Sequence, residues 1–432
     1  MSCILRKIGY LMKVYKFGGA SIKNTELIQN TAAIISNDSS QKLLVVISAM
    51  GKTTNALEKI AEAYFNNRQQ DALRLFDQVK QSHLEIVKYL LVVNWKAAED
   101  QLRDFFTEIE WMLHDKPVRS YDYYYDQIVC CGELFSTCVV SHYLNEHKIK
   151  VKWIDVRDIV RTDNNFRDAV VDFPYTSAKI TEEIAPLFNE YDVVITQGFV
   201  GATDENESTT LGREGSDYSA AIFANLLNAD SLTIWKDVEA VMNADPNKFK
   251  DAVNIPLLNY TEVIEMAYYG AQVIHPKTIK PLQNKNIPLY VKSFLNTELP
   301  GTVINADKAQ SLPPVIVLKE KQSMIYFRSR DFSFIEGQPV EALHNIFKKV
   351  KLQPNLSQNT AISLMCCFDG HSEKIGQIAA EASTMFDVEV EGNLSLLTIR
   401  HYDDATIKKL SAGKNIILEQ RTPETMQGVI RG

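Results

Sequence analysis

The sequence predicts an α/β protein whose mainly parallel sheet lies between helix layers, followed by a smaller α+β region. Up to Leu299, short apolar segments alternate with helical patterns, as a parallel sheet with helical crossovers requires. Pro300-Gly301 and Pro313-Pro314 then bracket a polar segment that separates the two regions. The strand candidates of the first region are Val14–Phe17, Leu43–Ile47, Val151–Ile154, Val193–Thr196, Leu232–Trp235 and Leu289–Val291.

Two further segments of the first region predict helices. Asn55–Glu110 is charged and amphipathic, and we interpret it as helices that form a lid or a subunit contact, or only a solvated surface. Tyr121–Tyr125 predicts a helix that packs its rings into the core, in preference to a surface that stacks on bases.

The region after Pro314 alternates strand and helix signals. Strands are predicted at Ser323–Phe327, Leu364–Phe368 and Leu396–Arg400, with room for another near 388–390, and Ile416–Ile430 can supply strands of a second, incomplete unit. The two helical faces between them consist of Val340, Leu343, Ile346, Phe347 and Val350, and of Ile375, Ile378, Ala379, Ala382 and Phe386.

Composition restricts the class of protein. A chain of 432 residues exceeds what one core usually serves, and a net charge of -8 without a long basic block argues against nucleic acid as a partner. No apolar run approaches the roughly 20 residues that cross a bilayer. Six cysteines without a zinc spacing predict reduced, buried thiols. We therefore expect a cytoplasmic protein without a signal peptide, with Met12 as an alternative start.

The segment Thr210–Ala220 has the composition of an anion-binding turn. It combines Arg213, two glycines, a hydroxyl and a carboxylate with a helical run. Glycines let the backbone approach a ligand, and Ser216 or Asp217 is predicted to cap a helix that begins near Tyr218, whose free N–H groups attract a phosphate or carboxylate. A loop-to-helix junction without a ligand is the alternative.

Three other segments strengthen this interpretation. Val14–Ser21 is a strand with Lys16 that leads into Gly18-Gly19, and Gln197-Gly198-Phe199 follows another strand. The third is Glu265–Thr278. His275 in it is predicted to be structural, and Gly51-Lys52-Thr53 is not a P-loop because Val46 stands where that pattern needs glycine.

In this order, the four segments resemble the aspartate kinases of the amino acid kinase family. The resemblance runs from Lys13 to about Thr302 and also includes Val46–Met50, Gly132-Glu133, Trp235–Val238 and Ala244–Pro246. It implies a catalytic domain at 12–302 with the carbamate kinase-like three-layer α/β/α sandwich. It also implies an ACT-type regulatory region at 315–432, with one complete and one partial unit.

The chemistry implied by the resemblance is transfer of the γ-phosphoryl group of ATP to the β-carboxylate of L-aspartate, the first step toward lysine, threonine and methionine. A carboxylate is already nucleophilic at neutral pH, so positioning and charge neutralisation dominate. Mg²⁺ is expected on the nucleotide phosphates and water, without a metal site built by the protein.

The resemblance also assigns roles to residues. Lys16 and Asp217 would be catalytic, with Lys16 neutralising phosphoryl charge and Asp217 orienting it. Arg213 would hold the α-carboxylate of aspartate and Glu133 its α-ammonium group, unless Glu133 is a surface carboxylate and Asp217 only a cap. Further polar contacts to the substrate are expected from Ser48, Thr54 and Ser216.

On the nucleotide side the sequence departs from the family pattern. ATP contacts are expected from Lys16, Gly18, Gly19, Ser21, Lys236, Asp237, Met242, Asn247 and Gln272. Asn247 replaces an arginine and Gln272 a lysine, and Lys236 or Lys248 can substitute for these lost cations. The departures support one alternative, a catalytically weak homologue that senses amino acids. A kinase for another amino-acid carboxylate is a second alternative.

Regulation is the last implication. ACT units pair and bind amino acids, which predicts a homodimer or a higher homo-oligomer and feedback inhibition by lysine or threonine. The effector loops are expected at Ser329–Phe334 and Asn355–Ile362, through the residues Ser329, Asp331, Phe332, Asn355, Gln358, Asn359 and Ile362.

Overall fold

The structure is a computed structural model that describes residues 11–38, 41–307 and 311–431. The described residues form two compact units. The second contains Met242–Ile255, Glu265–Gln272 and the residues from 311 onward, and the first contains the rest. The interpretations of Cys3 and of the segment before Leu11 lie outside the described residues.

Within the described residues, eight strands form the main sheet of the first unit. They are β1 (Met12–Phe17), β2 (Lys42–Ile47), β3 (Val151–Trp153), β4 (Val193–Gln197), β7 (Ser231–Lys236), β8 (Leu257–Asn259), β9 (Leu289–Ser293) and β10 (Thr302–Asn305). Their order is β3-β4-β2-β1-β7-β9-β10-β8. Every pairing is parallel except that of β9 with β10. The six predicted strands are confirmed.

A small hairpin of β5 (Val200–Ala202) and β6 (Ser208–Thr210) follows β4. The helices of this part of the chain are α1 (Thr25–Asn37), α2 (Thr53–Phe65), α3 (Gln69–Leu90), α4 (Trp95–His114), α5 (Tyr121–Val129), α6 (Cys131–Glu146), α7 (Phe173–Lys179), α8 (Gly215–Leu226), α9 (Tyr260–Tyr268) and α10 (Pro276–Gln283). Short helical turns lie at Gly19–Ile22, Val156–Asp158, Ile180–Ile184 and Ala185–Asn189.

Helices α2, α3 and α4 account for the segment Asn55–Glu110, and each buries one apolar face. Their role as a lid or a subunit contact stays a prediction. Helix α5 buries the rings of Tyr124 and Tyr125, which confirms the prediction of core packing for these two side chains. Helix α6 is buried nearly all round because apolar or small residues occupy every face of it.

In the second unit, the described residues form an antiparallel six-stranded sheet in the order β12-β13-β11-β14-β16-β15. Its elements are β11 (Val315–Arg328), α11 (Gln338–Val350), β12 (Leu356–Asn359), β13 (Ser363–Asp369), α12 (Ser372–Ala382), β14 (Asp387–Arg400), α13 (Asp404–Ser411), β15 (Asn415–Arg421) and β16 (Thr425–Arg431). The strands β11 and β14 are the longest of this sheet, with 14 residues each.

Helices α11 and α12 pack most of their predicted apolar faces into one core with Phe327 and Phe368. Helix α13 packs Ile407 into a separate cluster with residues of β14 and β16. The strands predicted near 388–390 and at Leu396–Arg400 are both confirmed, as parts of β14. One prediction was wrong: 356–359 is not loop but strand β12, because it pairs with the edge of β13.

Two stretches that precede the linker in sequence pack with the second unit. The backbone N–H of Ile316 donates to the carbonyl of Asn243 at 2.7 Å, and Arg400 pairs with Glu265 at 3.3 Å. These contacts explain why Met242–Ile255 and Glu265–Gln272 belong to that unit.

Two expectations from composition can be compared with the described residues. None of their helices is both long enough and apolar enough to cross a membrane. Cys130, Cys131, Cys138, Cys366 and Cys367 are buried free thiols, as predicted.

Candidate active site

The site lies at the edge of the main sheet where the parallel strands end. Phe17, Ile47, Gln197 and Trp235 are neighbours across β1, β2, β4 and β7. The segments that follow these strands therefore begin side by side, as in other open α/β sheets that bind ligands at this edge.

An ion pair joins β1 to the first turn of α8. Lys16 Nζ lies 2.7 Å from Asp217 Oδ1, and the two side chains are 12% and 5% exposed. The contact lies outside hydrogen-bond geometry for this oxygen, which has no hydrogen-bond partner in the described residues. The pair is therefore held by charge, in a region where burial strengthens electrostatic interactions.

The start of α8 differs from the prediction. The helix begins at Gly215 rather than near Tyr218, and neither Ser216 nor Asp217 caps it. The capping position is taken by Glu214 in a left-handed conformation with φ 54°, and its carboxylate accepts a hydrogen bond from the backbone N–H of His275 at 2.9 Å. Asp217 lies in the first turn, where its carboxylate meets Lys16 instead of a backbone N–H.

Close backbone approaches explain two glycines of the site. A Cβ on Gly19 would lie 2.5 Å from the carbonyl oxygen of Ala49, and one on Gly198 would lie 2.7 Å from Cβ of Ser216. Any larger residue would push apart the loop after β1 or the start of α8. Ser21, expected to contact ATP, is fully buried and donates to the carbonyl of Gly18 at 2.7 Å, so it holds this loop from within.

Glu133, in the first turn of α6, is only 3% exposed and is not a surface carboxylate. Its Oε1 accepts a hydrogen bond from the backbone N–H of Ala49 at 3.2 Å. Its Oε2 has no hydrogen-bond partner in the described part of the chain. Burial raises the pKa of Glu133 to about 8, although the Ala49 N–H and the charge of Lys16 both oppose this rise.

Arg213 lies in the turn before α8, where its side chain is exposed. In the structure of residues 11–38, 41–307 and 311–431 it makes no ion pair or side-chain hydrogen bond. Its guanidinium is thus available for an external carboxylate, with which it can form two parallel hydrogen bonds.

Sequence reasoning missed the residue that anchors this turn. Asp126 on α5 is fully buried and accepts hydrogen bonds from Thr210 N at 2.8 Å, Thr210 Oγ1 at 2.7 Å and Arg167 N at 2.9 Å. Burial raises its pKa to about 6 against the lowering effect of these donors. A carboxylate close to the tyrosine-rich segment was the only sign of this role in the sequence. Its partners, Arg167 and Thr210, are too distant in the chain for the sequence to indicate them.

Asp168 is a second missed residue. Its carboxylate pairs with Lys277, and its Oδ1 lies 2.6 Å from the position that a Cβ on Gly212 would take. Gly212 has φ 76°, so this glycine both permits the left-handed turn and makes room for Asp168. His275 is structural, as predicted, because its Nδ1 accepts from Lys277 N and caps α10.

The remaining substrate candidates lie on the segment after β2 and at the start of α8. Ser48 directly follows β2, and its backbone N–H donates to the carbonyl of Phe17 at 3.0 Å. Thr54 lies half-buried in the first turn of α2, and Ser216 lies against Gly198.

The nucleotide candidates divide between the two units. In the first unit, Lys236 at the end of β7 donates to the carbonyl of Val273 at 3.0 Å, and Asp237 is exposed. In the second unit, Met242 bridges to Asn254, Asn247 Nδ2 donates to Asp245 Oδ1 at 3.1 Å, and Gln272 is exposed. Lys248, proposed as a replacement cation, pairs with Glu320 at 2.6 Å within the second unit.

A cavity of about 530 Å³ lies in the second unit beside α11. Ser329 and Asp331 of the first predicted effector loop contribute to its wall, together with Arg330 and Phe334. The hydroxyls of Ser333 and Ser329 lower the pKa of Asp331 to about 2. Phe332, Asn355, Gln358, Asn359 and Ile362 are not among the residues that line it.

The second predicted effector segment is engaged elsewhere. Asn355 donates to Gln322 Oε1 at 2.8 Å and to Asp369 Oδ1 at 2.9 Å, and it accepts from Lys319. Gln358 and Asn359 lie on β12.

The described residues contain no group of three or more His, Cys, Asp or Glu side chains able to hold a metal ion.

The sequence is similar to known aspartokinases. The bifunctional aspartokinase/homoserine dehydrogenase 1 of Zea mays, a chloroplastic protein, is 34% identical over 410 residues, which are 91% of this chain and 44% of that protein. Lysine-sensitive aspartokinase 3 of Escherichia coli K12 is 28% identical over 394 residues, 89% of this chain and 86% of that protein. The chain thus spans less than half the length of the bifunctional relative.

Solved structures of aspartokinases are also similar to this chain. Aspartokinase III of E. coli, solved with aspartate and ADP, superposes with a TM-score of 0.81 at 26% identity over 98% of this chain and 96% of that one. The same protein with lysine and aspartate gives a TM-score of 0.80. The model of the amino acid kinase family matches residues 12–293. This chain therefore belongs to the amino acid kinase family.

Proposed function

We propose that this chain transfers the γ-phosphoryl group of ATP to the β-carboxylate of L-aspartate and forms 4-phospho-L-aspartate, the first step in the synthesis of lysine, threonine and methionine. The observation that carries the proposal is the buried Lys16–Asp217 pair beside the loop of Gly18 and Gly19. The related aspartokinase III, solved with aspartate and ADP, supports the choice of substrates.

Lys16 is the group that would neutralise charge on the transferred phosphoryl group. A Cβ on Gly18 would lie 3.5 Å from Lys16 Nζ, so the glycine leaves the approach to this ammonium open. Asp217 holds Lys16 in place before the nucleotide arrives. Because the cation is positioned in advance, little reorganisation is needed when charge develops in the transition state.

Arg213 and Glu133 would recognise the two charges of the amino acid. The free guanidinium of Arg213 suits the α-carboxylate, and Oε2 of Glu133 lacks the donor that an α-ammonium group supplies. An ammonium group beside Glu133 would offset the burial that raises its pKa and would favour the ionised form. Ser48, Thr54 and Ser216 complete the proposed substrate contacts.

The β-carboxylate of aspartate is the nucleophile, and it needs no general base because it is ionised at neutral pH. Mg²⁺ on the nucleotide phosphates would neutralise part of their charge. Lys236 and Asp237, at the end of β7, complete the nucleotide contacts proposed within the first unit. Contacts from Met242, Asn247 and Gln272 stay predictions.

The proposed organisation is a catalytic domain at 12–302 and a regulatory region at 315–432. The cavity beside α11 is the proposed site for lysine or threonine, and pairing of ACT-type units would give a homodimer or a higher homo-oligomer. The related E. coli aspartokinase named as lysine-sensitive supports lysine as the first effector to test. The cytoplasmic location also stays a prediction.

One observation supports the second candidate, an amino-acid sensor with weak catalysis. Lys248 is engaged with Glu320 and is not a spare cation, so the loss of arginine at Asn247 and of lysine at Gln272 is not offset by it.

A coupled assay of ADP release with L-aspartate, with hydroxylamine trapping of the acyl phosphate, tests both candidates. Trapped aspartyl hydroxamate supports the kinase, and its loss on addition of lysine or threonine identifies the effector. No product, together with a thermal shift by either amino acid, would support the sensor.

A further inference from the structure

A second cavity, of about 370 Å³, lies on one face of the main sheet in the first unit. Its floor consists of side chains from three adjacent strands, β1, β7 and β9, and one wall is the end of α1. Side chains alternate between the faces of a strand, so Tyr15 points to this cavity and its neighbour Lys16 points to the opposite face. The cavity is therefore separate from the proposed active site.

The floor is unusually polar for the middle of a parallel sheet. Such strands are normally covered on both faces and carry apolar side chains. Here the register aligns Lys13 with Ser231, Tyr15 with Thr233 and Tyr290, and Trp235 with Lys292. Polar groups in this position are costly unless they have polar partners.

The two lysines of the cavity differ in their partners. Lys13 lies 3.3 Å from Asp38, which also accepts a hydrogen bond from the hydroxyl of Tyr15. Lys292 has no carboxylate partner in the described residues, and its nearest acceptor is the carbonyl of Thr297 at 3.4 Å. Of the two lysines that line the cavity, only Lys292 therefore lacks a carboxylate partner in the described residues.

Trp235 lies beside Lys292. The residue is 5% exposed, and its Nε1–H has no acceptor in the structure of the described residues. Lys292 Nζ lies over the indole at 5.8 Å from the ring centroid. Because this Nε1 atom is itself buried, an anionic oxygen in the cavity would pair with Lys292 and not with the indole N–H.

We propose that this cavity binds a small aromatic carboxylate. The carboxylate pairs with Lys292 beside Trp235, and the ring lies against the aromatic side chains of Tyr15 and Tyr290. The volume falls within the range of roughly 300–1,000 Å³ that is usual for small-molecule sites.

Isothermal titration calorimetry with 2-naphthoate tests this site on the full chain, with uncharged 2-naphthamide as the matched ligand. We expect saturable binding of the carboxylate, and binding of the amide weaker by about tenfold, as loss of one charge-assisted contact predicts. Saturating ATP and aspartate should not displace 2-naphthoate.

Two lysine variants form the matched pair. Lys292→Gln should weaken 2-naphthoate binding by about tenfold, whereas Lys13→Gln should change it by less than about threefold because Asp38 already balances Lys13. Lys292→Arg should retain binding, which keeps the test valid if the glutamine variant fails to fold. Absence of saturable binding, equal binding of the amide, displacement by ATP or aspartate, or equal effects at both lysines would overturn the proposal.

Discussion

Lys16 Nζ and Asp217 Oδ1 form a buried ion pair at 2.7 Å that connects the third residue of the first turn of α8 to the central strand of the sheet. The pair places the ammonium group of Lys16 beside the glycine loop. It also makes the stability of the fold depend on both charges. Removal of one partner leaves the other charge buried alone, which is more damaging than removal of both.

Lys16→Met should abolish aspartate phosphorylation, with a loss of about 10²-fold or more in kcat, because the transition-state charge loses its cation. It should also lower the free energy of unfolding by about 3 kcal/mol through the isolated Asp217. The double variant Lys16→Met/Asp217→Asn should regain most of the stability and none of the activity. Chemical denaturation and the hydroxamate assay measure the two effects, and an active Lys16→Met variant would contradict the role of Lys16.

Glu133→Gln should change the dependence of stability on pH. The pKa of Glu133 is raised to about 8 in the folded protein, so its proton stabilises the fold at low pH. This advantage is complete below the unfolded pKa of about 4.5 and is lost as pH rises to about 8, at no more than about 1.4 kcal/mol per pH unit. Unfolding curves between these pH values should show wild type losing stability relative to Glu133→Gln. Parallel curves would exclude a raised pKa.

Ionisation of Glu133 should weaken the fold as pH rises, but it should strengthen the binding of aspartate. The α-ammonium group needs an ionised Glu133, so the KM for aspartate should fall as pH rises toward 8, while Glu133→Gln should show a high KM without this pH dependence. The KM for ATP, measured at the same pH values, is the control. A matching trend for ATP would place the titrating group elsewhere.

Arg213→Lys should raise the KM for aspartate by about tenfold and leave the KM for ATP and the melting temperature nearly unchanged. Lysine cannot reproduce two parallel hydrogen bonds to a carboxylate. Stability should not change because Arg213 is exposed and has no protein partner in the described residues. Equal effects on both substrates would contradict the assignment.

Asp126→Asn tests the anchor of the Arg213 turn. The amide can no longer accept all three hydrogen bonds from Thr210 and Arg167, so we expect a loss of about 2 kcal/mol in stability and a several-fold higher KM for aspartate. Asp122→Asn is the matched control on the same helix, because Asp122 is 54% exposed and its ion pair with Arg167 should contribute less than about 1 kcal/mol. Equal losses in the two variants would remove the anchoring role.

The two predicted effector segments can be separated by single substitutions. Asp331→Asn, in the wall of the cavity beside α11, should raise the lysine or threonine concentration needed for half-inhibition by about tenfold, as expected for loss of one charged contact. Gln358→Ala on β12 should change it little. Both variants are assayed at fixed concentrations of ATP and aspartate. A larger effect of Gln358→Ala than of Asp331→Asn would place the effector site at the second segment.

Much of the fold could be predicted because its signals are local. Apolar runs such as Leu43–Ile47 and Val193–Thr196 are long enough to indicate buried strands, and the faces of α11 and α12 repeat with helical spacing. The strand β12 was missed because its four residues are mostly polar and gain stability only by pairing with the edge of β13.

The capping of α8 shows why a local pattern can mislead. Ser216 and Asp217 are good capping residues, and the sequence around them favours that interpretation. The left-handed turn at Glu214 is stabilised by a hydrogen bond from His275, which is distant in sequence, and the helix starts earlier for that reason. Because the helix starts at Gly215, Asp217 lies inside its first turn, where its carboxylate pairs with Lys16 and does not cap the helix.

The sequence by itself determined the α/β class, the order of the elements and the chemical types of residue available at the glycine turns, because periodicity and composition are local properties. Only the tertiary structure decided that Lys16 pairs with Asp217, that Glu133 is buried with a raised pKa, and that Asp126 holds the Arg213 turn. These properties depend on burial and on contacts between residues far apart in the chain. No local pattern carries that information.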